Sequence, residues 1–296
     1  MIGGAIDSWL THLSARKLQH SHGKSLPTRF IDTPVGAVRT YDSGSAKPCV
    51  VMVPDGPNVI EHYAALIDRL AQEWRVVCFD MPGFGHSLPQ RSYTHSLDQG
   101  AQAVLGVLDS LGIEHTTLAF SCANGFYALR AAKLAPARVS HLLLSQTPSL
   151  AAMHAWTARV IPKPLRMPVV GQVAAWIFRN KAASSWYGAA LPRTTDPQPL
   201  RMKALDALES GACFCLAGVV QGLAKEQMAS LCGVTTPCTM IWGEQDRSHR
   251  QTDPCSLHAC VPHAEIVRFA DCGHFPDIEQ PERFADVLMS RMTNGA

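Results

Sequence analysis

Cys49-Val50-Val51-Met52-Val53-Pro54-Asp55-Gly56-Pro57 is an unbroken apolar run that stops at a turn. A strand with one wet face alternates apolar and polar residues, whereas a continuous apolar run marks a strand covered on both faces, as in a parallel sheet. The prolines and glycine end it. Ile60–Glu73 then places Ala64, Leu66, Ile67 and Leu70 at helical spacing, and Arg75–Phe79 is a second buried strand. Leu97–Leu111 is a helix with Val104, Leu105, Val107 and Leu108 in phase, Thr116–Phe120 a strand and Asn124–Leu134 a helix of small residues. Val139–Leu144 and Thr239–Trp242 are further strands, and Phe284–Met292 is a closing helix. Upstream, Thr28–Asp32 and Val35–Tyr41 form an antiparallel hairpin about Thr33-Pro34. The alternation predicts an α/β fold with a mostly parallel central sheet and helices on both faces.

The stretch from Ser149 to Gln227 breaks this rhythm. It is rich in Ala, Trp and Pro and reads as several short helices inserted between two strands. The chain of 296 residues, 47% apolar and 17% charged, buries a core without disulfide or metal staples and is not a disordered chain. A net charge of +2 argues against a dedicated nucleic-acid binder. Residues 1–18 include Asp7 and lack the basic start and apolar stretch of a secretory signal. Gly211–Ala224, interrupted by Gln221, is too short to span a bilayer. Ten cysteines without a CxxC pair read as free thiols, so the expected location is cytoplasmic. Cys255, His258, Cys260 and His263 are close enough to consider zinc, but their intervals fit no finger and Leu257 and Val261 suit an ordinary helix before the strand Ala264–Phe269. No metal or cofactor is expected.

Four loops carry a resemblance. Asp80-Met81-Pro82-Gly83-Phe84-Gly85-His86-Ser87 resembles the D-x-P-G-x-G-x-S loop of the α/β-hydrolase fold family, and residues 111–139 align with its nucleophile segment without a gap. Trp242-Gly243-Glu244-Gln245-Asp246 resembles its acid loop, and Asp271-Cys272-Gly273-His274-Phe275 its histidine loop. The resemblance runs from Thr28 onward. It implies an N-terminal helical segment over 1–27, a hydrolase core over 28–148 and 228–296, and a helical cap inserted at 149–227.

The motif departs from the family at the nucleophile. Where the family has G-x-S-x-G, this chain has Phe120-Ser121-Cys122-Ala123-Asn124, which puts Cys122 at the elbow and removes both glycines. Ser121, flanked by Ala119 and Ala123, is the alternative nucleophile at the expense of compensating gaps. A thiol needs little activation, because its thiolate is the reactive form and its free pKa is about 8.5. The resemblance assigns His274 as base toward Cys122 and Asp246 as the group that holds the imidazole. The oxyanion hole would use the amides of Gly56 and Ala123, and Asp55 would have to point away from the developing charge. His62 is expected on a helix surface nearby. Trp156, Trp176, Trp186 and Phe275 are candidates for the substrate pocket.

Residues 151–203 hold eight Lys and Arg against Asp196 alone, a net +7 that leaves the rest of the chain at −5. Such a face is either solvated or an electropositive rim for acyl-CoA phosphates or an acidic carrier protein, with a membrane surface as a weaker option. The leading expectation is an enzyme acting on a small-molecule acyl substrate, ester or thioester, through an acyl-Cys122 intermediate as acyltransferase, thioesterase or esterase. Simple ester or lactone hydrolysis is the close alternative. A non-catalytic binding protein and a cofactor-free lyase are the rivals from other classes.

Overall fold

The computed structural model describes residues 2–15 and 26–292. Helix α1 (Ile2–Ala15) precedes the antiparallel pair β1 (Thr28–Thr33) and β2 (Gly36–Asp42), whose register Thr33↔Gly36 leaves Pro34-Val35 as the turn. There follow β3 (Cys49–Val53), α2 (Ala64–Leu70), β4 (Arg75–Phe79), the two-residue strands β5 (Phe84–Gly85) and β6 (Leu88–Pro89), α3 (Leu97–Ser110), β7 (Thr116–Ser121), α4 (Ala123–Leu134) and β8 (Val139–Ser145). Five helices, α5 (Leu150–Val160), α6 (Val170–Ile177), α7 (Arg179–Ala190), α8 (Gln198–Glu209) and α9 (Leu216–Leu223), then intervene, with strand β9 (Cys213–Phe214) before the last of them. The chain returns through β10 (Cys238–Gly243), β11 (Glu265–Phe269), the short α10 (Pro276–Glu279) and α11 (Pro281–Met292).

The main sheet runs β1-β2-β4-β3-β7-β8-β10-β11, with β6 beside β2, and is parallel from β4 to β11. Every residue of β3, β7 and β10 is buried, which is why these strands carry apolar runs such as Cys49–Val53, 118–120 and 240–242 instead of alternating. One face of the sheet packs Val51, Val53, Leu118 and Phe120 against Val104, Leu108, Phe126 and Leu129 of α3 and α4. The other packs Val50, Met52 and Ile241 against Leu66, Ile67, Leu70, Phe284 and Leu288 of α2 and α11. The α/β architecture expected from the sequence is the one observed.

Local differences have physical causes. The helix expected over Ile60–Glu73 opens as a 3₁₀ turn, Ile60–Tyr63, before α2, and the amide of Ile60 is taken by the Asp80 carboxylate. The spacing gave no sign of β9, whose Phe214 pairs with Phe84 and ties the inserted helices to the Asp80 loop. That loop is organised by Asp80, which accepts from Ile60 and His86 amides and faces Arg39 Nε at 3.3 Å. Ser87 donates to Asp80 O and accepts from Arg39 N. Gly85, at φ 50°, lies so close to the Asp80 carboxylate that any side chain would overlap it. Among the described residues no helix is long and apolar enough to cross a membrane.

Gly243 ends β10 where the backbone oxygens of Gly273 and Cys272 occupy the place of a Cβ. Gly243→Ala is therefore expected to push the histidine loop off the sheet and cost about 1–3 kcal/mol. Denaturant midpoints of the two proteins measure this, and equal midpoints would contradict the close approach.

Candidate active site

Cys122 occupies the turn between β7 and α4 with φ 51° and ψ −124°, a left-handed backbone rare for a residue with a Cβ. The turn is pinned from several sides. Cys122 N donates to Ser145 O at 2.7 Å, and the Thr147 hydroxyl lies 3.0 Å from the carbonyls of both Cys122 and Ser145. Gly125 then passes so close to the Thr147 side chain that no larger residue fits. The missing elbow glycines also have local reasons. Phe120 is fully buried and packs edge-on to Phe79, and the Asn124 side-chain amide donates to Pro54 O at 3.0 Å, tying α4 to the loop after β3.

Ser121 is not in this constellation. It is the last residue of β7, and its Oγ donates to Asp277 Oδ2 at 2.6 Å beside the Tyr63 hydroxyl, which donates to the same oxygen at 2.7 Å. The hydroxyl of Ser121, the alternative nucleophile, is thus placed on Asp277, whereas Cys122 is the residue gathered with His274 and Asp55.

His274 is fully buried, with Nδ1 2.6 Å from Asp246 Oδ2. Asp246 also accepts from Gln146 Nε2 at 2.7 Å and from the Ser248 amide and hydroxyl at 2.8 and 2.7 Å. Burial opposes the His274 cation, but the charges of Asp246 and Cys122 and the hydrogen bonds to Asp246 and Asp55 outweigh it and hold the imidazole well above its usual pKa. Asp246 is correspondingly held below the usual carboxylate range, burial being overcome by its bonds to His274 and Ser248. Gln146, which also accepts from Gly243 N at 2.8 Å and has φ 46°, was not singled out from the sequence. An isolated Gln after a strand carries no motif, and only the fold shows that it bridges β8 to the acid loop. His249 was missed likewise. It stacks on His274 at 5.3 Å and on Trp156 at 4.8 Å, and burial lowers it to about 3, so it stays neutral.

Asp55 does not point away. Its Oδ2 is 3.2 Å from His274 Nε2, on the side of the imidazole opposite Asp246. Burial raises the Asp55 carboxyl above its usual pKa, with His274 pulling it back. Cys122 is raised too, by burial first and the Asp55 charge second, against the opposing pull of His274 and of the Ala123 amide that donates to its sulfur. Ala123 is thus at the sulfur, and Gly56, adjoining Asp55, is held under the rings of Phe84 and Phe214, with Phe84 atoms 2.6 Å from where its Cβ would be.

The aromatic candidates separate. Trp186 meets His274 edge-on at 5.1 Å, Trp156 meets Trp186 at 5.9 Å, and buried Phe275 lies 5.0 Å from the His274 ring. Trp176 belongs elsewhere: it lines a cavity beside α1 with Asp7 and Thr11, and its Nε1 donates to Ser14, so its place in the pocket is corrected. His62 is corrected as well. It is buried, not on a helix surface, with Nε2 3.0 Å from Leu200 O, and burial lowers it to about 4. The zinc candidates are dispersed, since His258 Nε2 is on Ala264 O and His263 Nε2 on Thr236 O. Residues that could hold a cation gather instead as Asp55-Cys122-His274, Asp246-His249-His274 and Asp7-His95-Cys215, the first two being the constellation just described.

A strand-turn-helix nucleophile position and a carboxylate-held imidazole on a parallel sheet define a hydrolase-type scaffold. The profile of the alpha/beta hydrolase family matches residues 50–287, and the chain belongs to that family. It is 34% identical over 124 residues to a zearalenone hydrolase from Bionectria ochroleuca, a match covering 40% of this chain and 47% of that protein. Over 263 residues it is 25% identical to a 2-hydroxymuconate semialdehyde hydrolase from Pseudomonas sp. CF600, covering 84% of this chain and 87% of that one. Its fold superposes on epoxide hydrolase A from Mycobacterium thermoresistibile with a TM-score of 0.75 at 16% identity, covering 90% and 98% of the two chains. A carboxylesterase from Bacillus subtilis gives 0.69 at 17%, covering 100% of both chains.

The charges make a pH prediction. Burial and the Asp55 anion both disfavour the Cys122 thiolate, so alkylation of Cys122 by iodoacetamide should keep rising with pH beyond the ordinary thiol midpoint of about 8.5. Asp55→Asn removes the negative charge and should move the midpoint down. Peptide mass mapping separates Cys122 from the exposed Cys232 and Cys255, and a wild-type midpoint at or below the ordinary value would contradict the assignment.

Proposed function

We propose that this protein acts on esters or thioesters by forming an acyl-enzyme on Cys122, with His274 moving the proton and Asp246 holding the imidazole. The observation that carries the reading is the placement of Cys122 in a strained, pinned elbow against a buried His274 whose far nitrogen is on Asp246. Once Nε2 of His274 has lost its proton and its Asp55 contact, the thiol proton passes to that nitrogen as sulfur attacks the acyl carbon. Asp246 offsets the imidazolium charge, and the same proton leaves with the departing thiol or alcohol. The amides of Gly56 and Ala123 receive the oxyanion. Gln146 is a positioning residue, fixing Asp246 from behind.

Acyl transfer and thioester cleavage head this reading, because exchange between a thiol and a thioester is close to isoenergetic and leaves the acyl group available to an amine or alcohol. Ester or lactone hydrolysis is the second reading, favoured by the names of the curated relatives. The core over 28–148 and 228–296 would supply the chemistry, and the helices of 149–227 would form the cap. Trp186 from α7 already covers His274. The cap's Lys and Arg side chains make no ion pairs among the described residues, which suits a rim that meets the phosphates of CoA or an acidic carrier protein.

Intact mass spectrometry after exposure to a short acyl thioester and to an activated ester tests the reading. An acyl adduct should form on the wild type and on Ser121→Ala, be absent from Cys122→Ala, and form at least about 100-fold more slowly on His274→Ala. Turnover abolished by His274→Ala without any adduct would favour the lyase, and ligand binding unaffected by either substitution the binder. Binding of acyl-CoA or acyl-carrier protein should weaken steeply between low and physiological salt, and a salt-insensitive affinity would remove the rim from the account.

A further inference from the structure

Asp55 is left without a task by the acyl-enzyme scheme, and its position is costly. An anion beside the oxyanion loop repels the developing negative charge and opposes the thiolate. Yet its place is fixed: the Asn58 amide donates to Asp55 O at 2.9 Å, and Asn124 holds the carbonyl of the preceding Pro54. Two buried carboxylates, Asp55 and Asp246, flank one imidazole. No Arg or Lys pairs with either among the described residues, and His249 stays neutral. With His274 protonated and Cys122 as thiol the cluster carries −1, and with a thiolate it carries −2. With both carboxylates ionised the site is therefore one cation short of neutrality at rest, and two short with the thiolate.

We propose that the Asp55 carboxylate binds a substrate ammonium, so that the acyl groups this site takes are aminoacyl groups with a free amine next to the reacting carbonyl. The proposal deepens the acyl-enzyme reading above and rests on it. The ligand atoms of Asp55, Cys122 and His274 all lie within 4.8 Å of one another. The α-nitrogen of an aminoacyl group sits one carbon away from the carbonyl that bonds to sulfur, so an ammonium can contact Asp55 while that carbonyl is at Cys122. Taking Asp55 Oδ2 also releases His274 Nε2 from its present partner and turns it toward the thiol. The positive charge of the ammonium cancels the field that holds the thiol protonated, so the correct substrate arms the nucleophile. The step is balanced: the substrate amine enters neutral and takes the Nε2 proton of His274 to become the ammonium on Asp55, Cys122 gives its proton to the freed Nε2, the Sγ–acyl bond forms, the bond to the leaving thiol breaks, and that thiol departs with the proton.

The test compares Cys122 acylation by the N-acetylcysteamine thioesters of alanine, propionate and lactate, read by intact mass over time. An α-ammonium makes a thioester intrinsically more reactive, so each rate is taken as the ratio of wild type to Asp55→Asn. This ratio should be at least about tenfold larger for alanyl than for propionyl or lactyl. In wild type alone alaninamide should also change the rate of Cys122 alkylation and propionamide should not, a readout that does not depend on how the variant folds. Equal ratios for the three thioesters would overturn the proposal and leave Asp55 as a proton donor or structural group. If none of the three, nor the activated ester, marks Cys122, the nucleophile falls and this proposal with it. Adducts that form on Cys122 without an amine preference remove the ammonium site alone.

Discussion

The backbone of Cys122 is the constraint on which the site depends. A side chain at φ 51° costs about 1–3 kcal/mol and persists only where neighbours over-determine it. Here those neighbours are the end of β8, through Ser145 O and Thr147, and the loop after β3, through Asn124 and Pro54 O. Three adjacent strand ends thus fix one turn. Because β10 follows β8 in the sheet and is bridged to it by Gln146, the same corner sets where Asp246 lies. The inner parallel strands supply more than a core: their common C-terminal edge is the frame on which sulfur, imidazole and carboxylate meet.

The electrostatics of that edge explain why a thiol in this position is guarded. Cys122 is 7% exposed and His274 wholly covered, with Trp186 across the imidazole. Burial and Asp55 hold the proton on sulfur, while Asp246 and Asp55 hold a proton on His274. A resting site in this state is a poor nucleophile toward water-borne electrophiles. Under the proposed reading, a substrate would have to displace the Asp55–His274 contact before attack, so activation would depend on the ligand as well.

How much of this was legible in the sequence depended on the range of the interaction. Continuous apolar runs such as Cys49–Val53 reflect local burial on both faces and identified the inner strands directly. The order of four loops placed Cys122, Asp246 and His274 on a common scaffold, because each loop follows its own strand. Contacts between distant segments left no local pattern. Gln146 reaches Asp246 across 100 positions, Ser121 reaches Asp277 across 156, and Asp55 reaches His274 across 219. Those contacts decided the matters on which the sequence was silent or misleading: which of two adjacent residues faces the imidazole, where Trp176 belongs, and that the loop carboxylate points inward. Burial of His62 had the same origin, since its partner Leu200 O comes from the inserted helices.

The charge asymmetry of the chain acquires a spatial meaning from this geometry. The segment 151–203 carries net +7, and many of its cations, including Arg159, Lys163, Lys181 and Arg193, are exposed on the inserted helices and the turns between them. The corner around His274 holds two buried carboxylates and no Lys or Arg paired to either among the described residues. A ligand that is anionic at its far end and cationic beside the acyl carbon would match both fields at once, whereas a simple fatty or aromatic ester would match neither. In that case electrostatic attraction outside and an ion pair inside would act at different stages, the first on encounter and the second on the chemical step. Salt would then weaken capture far more than it weakens the buried contact, because those cations are exposed to solvent and the Asp55–His274 corner is not.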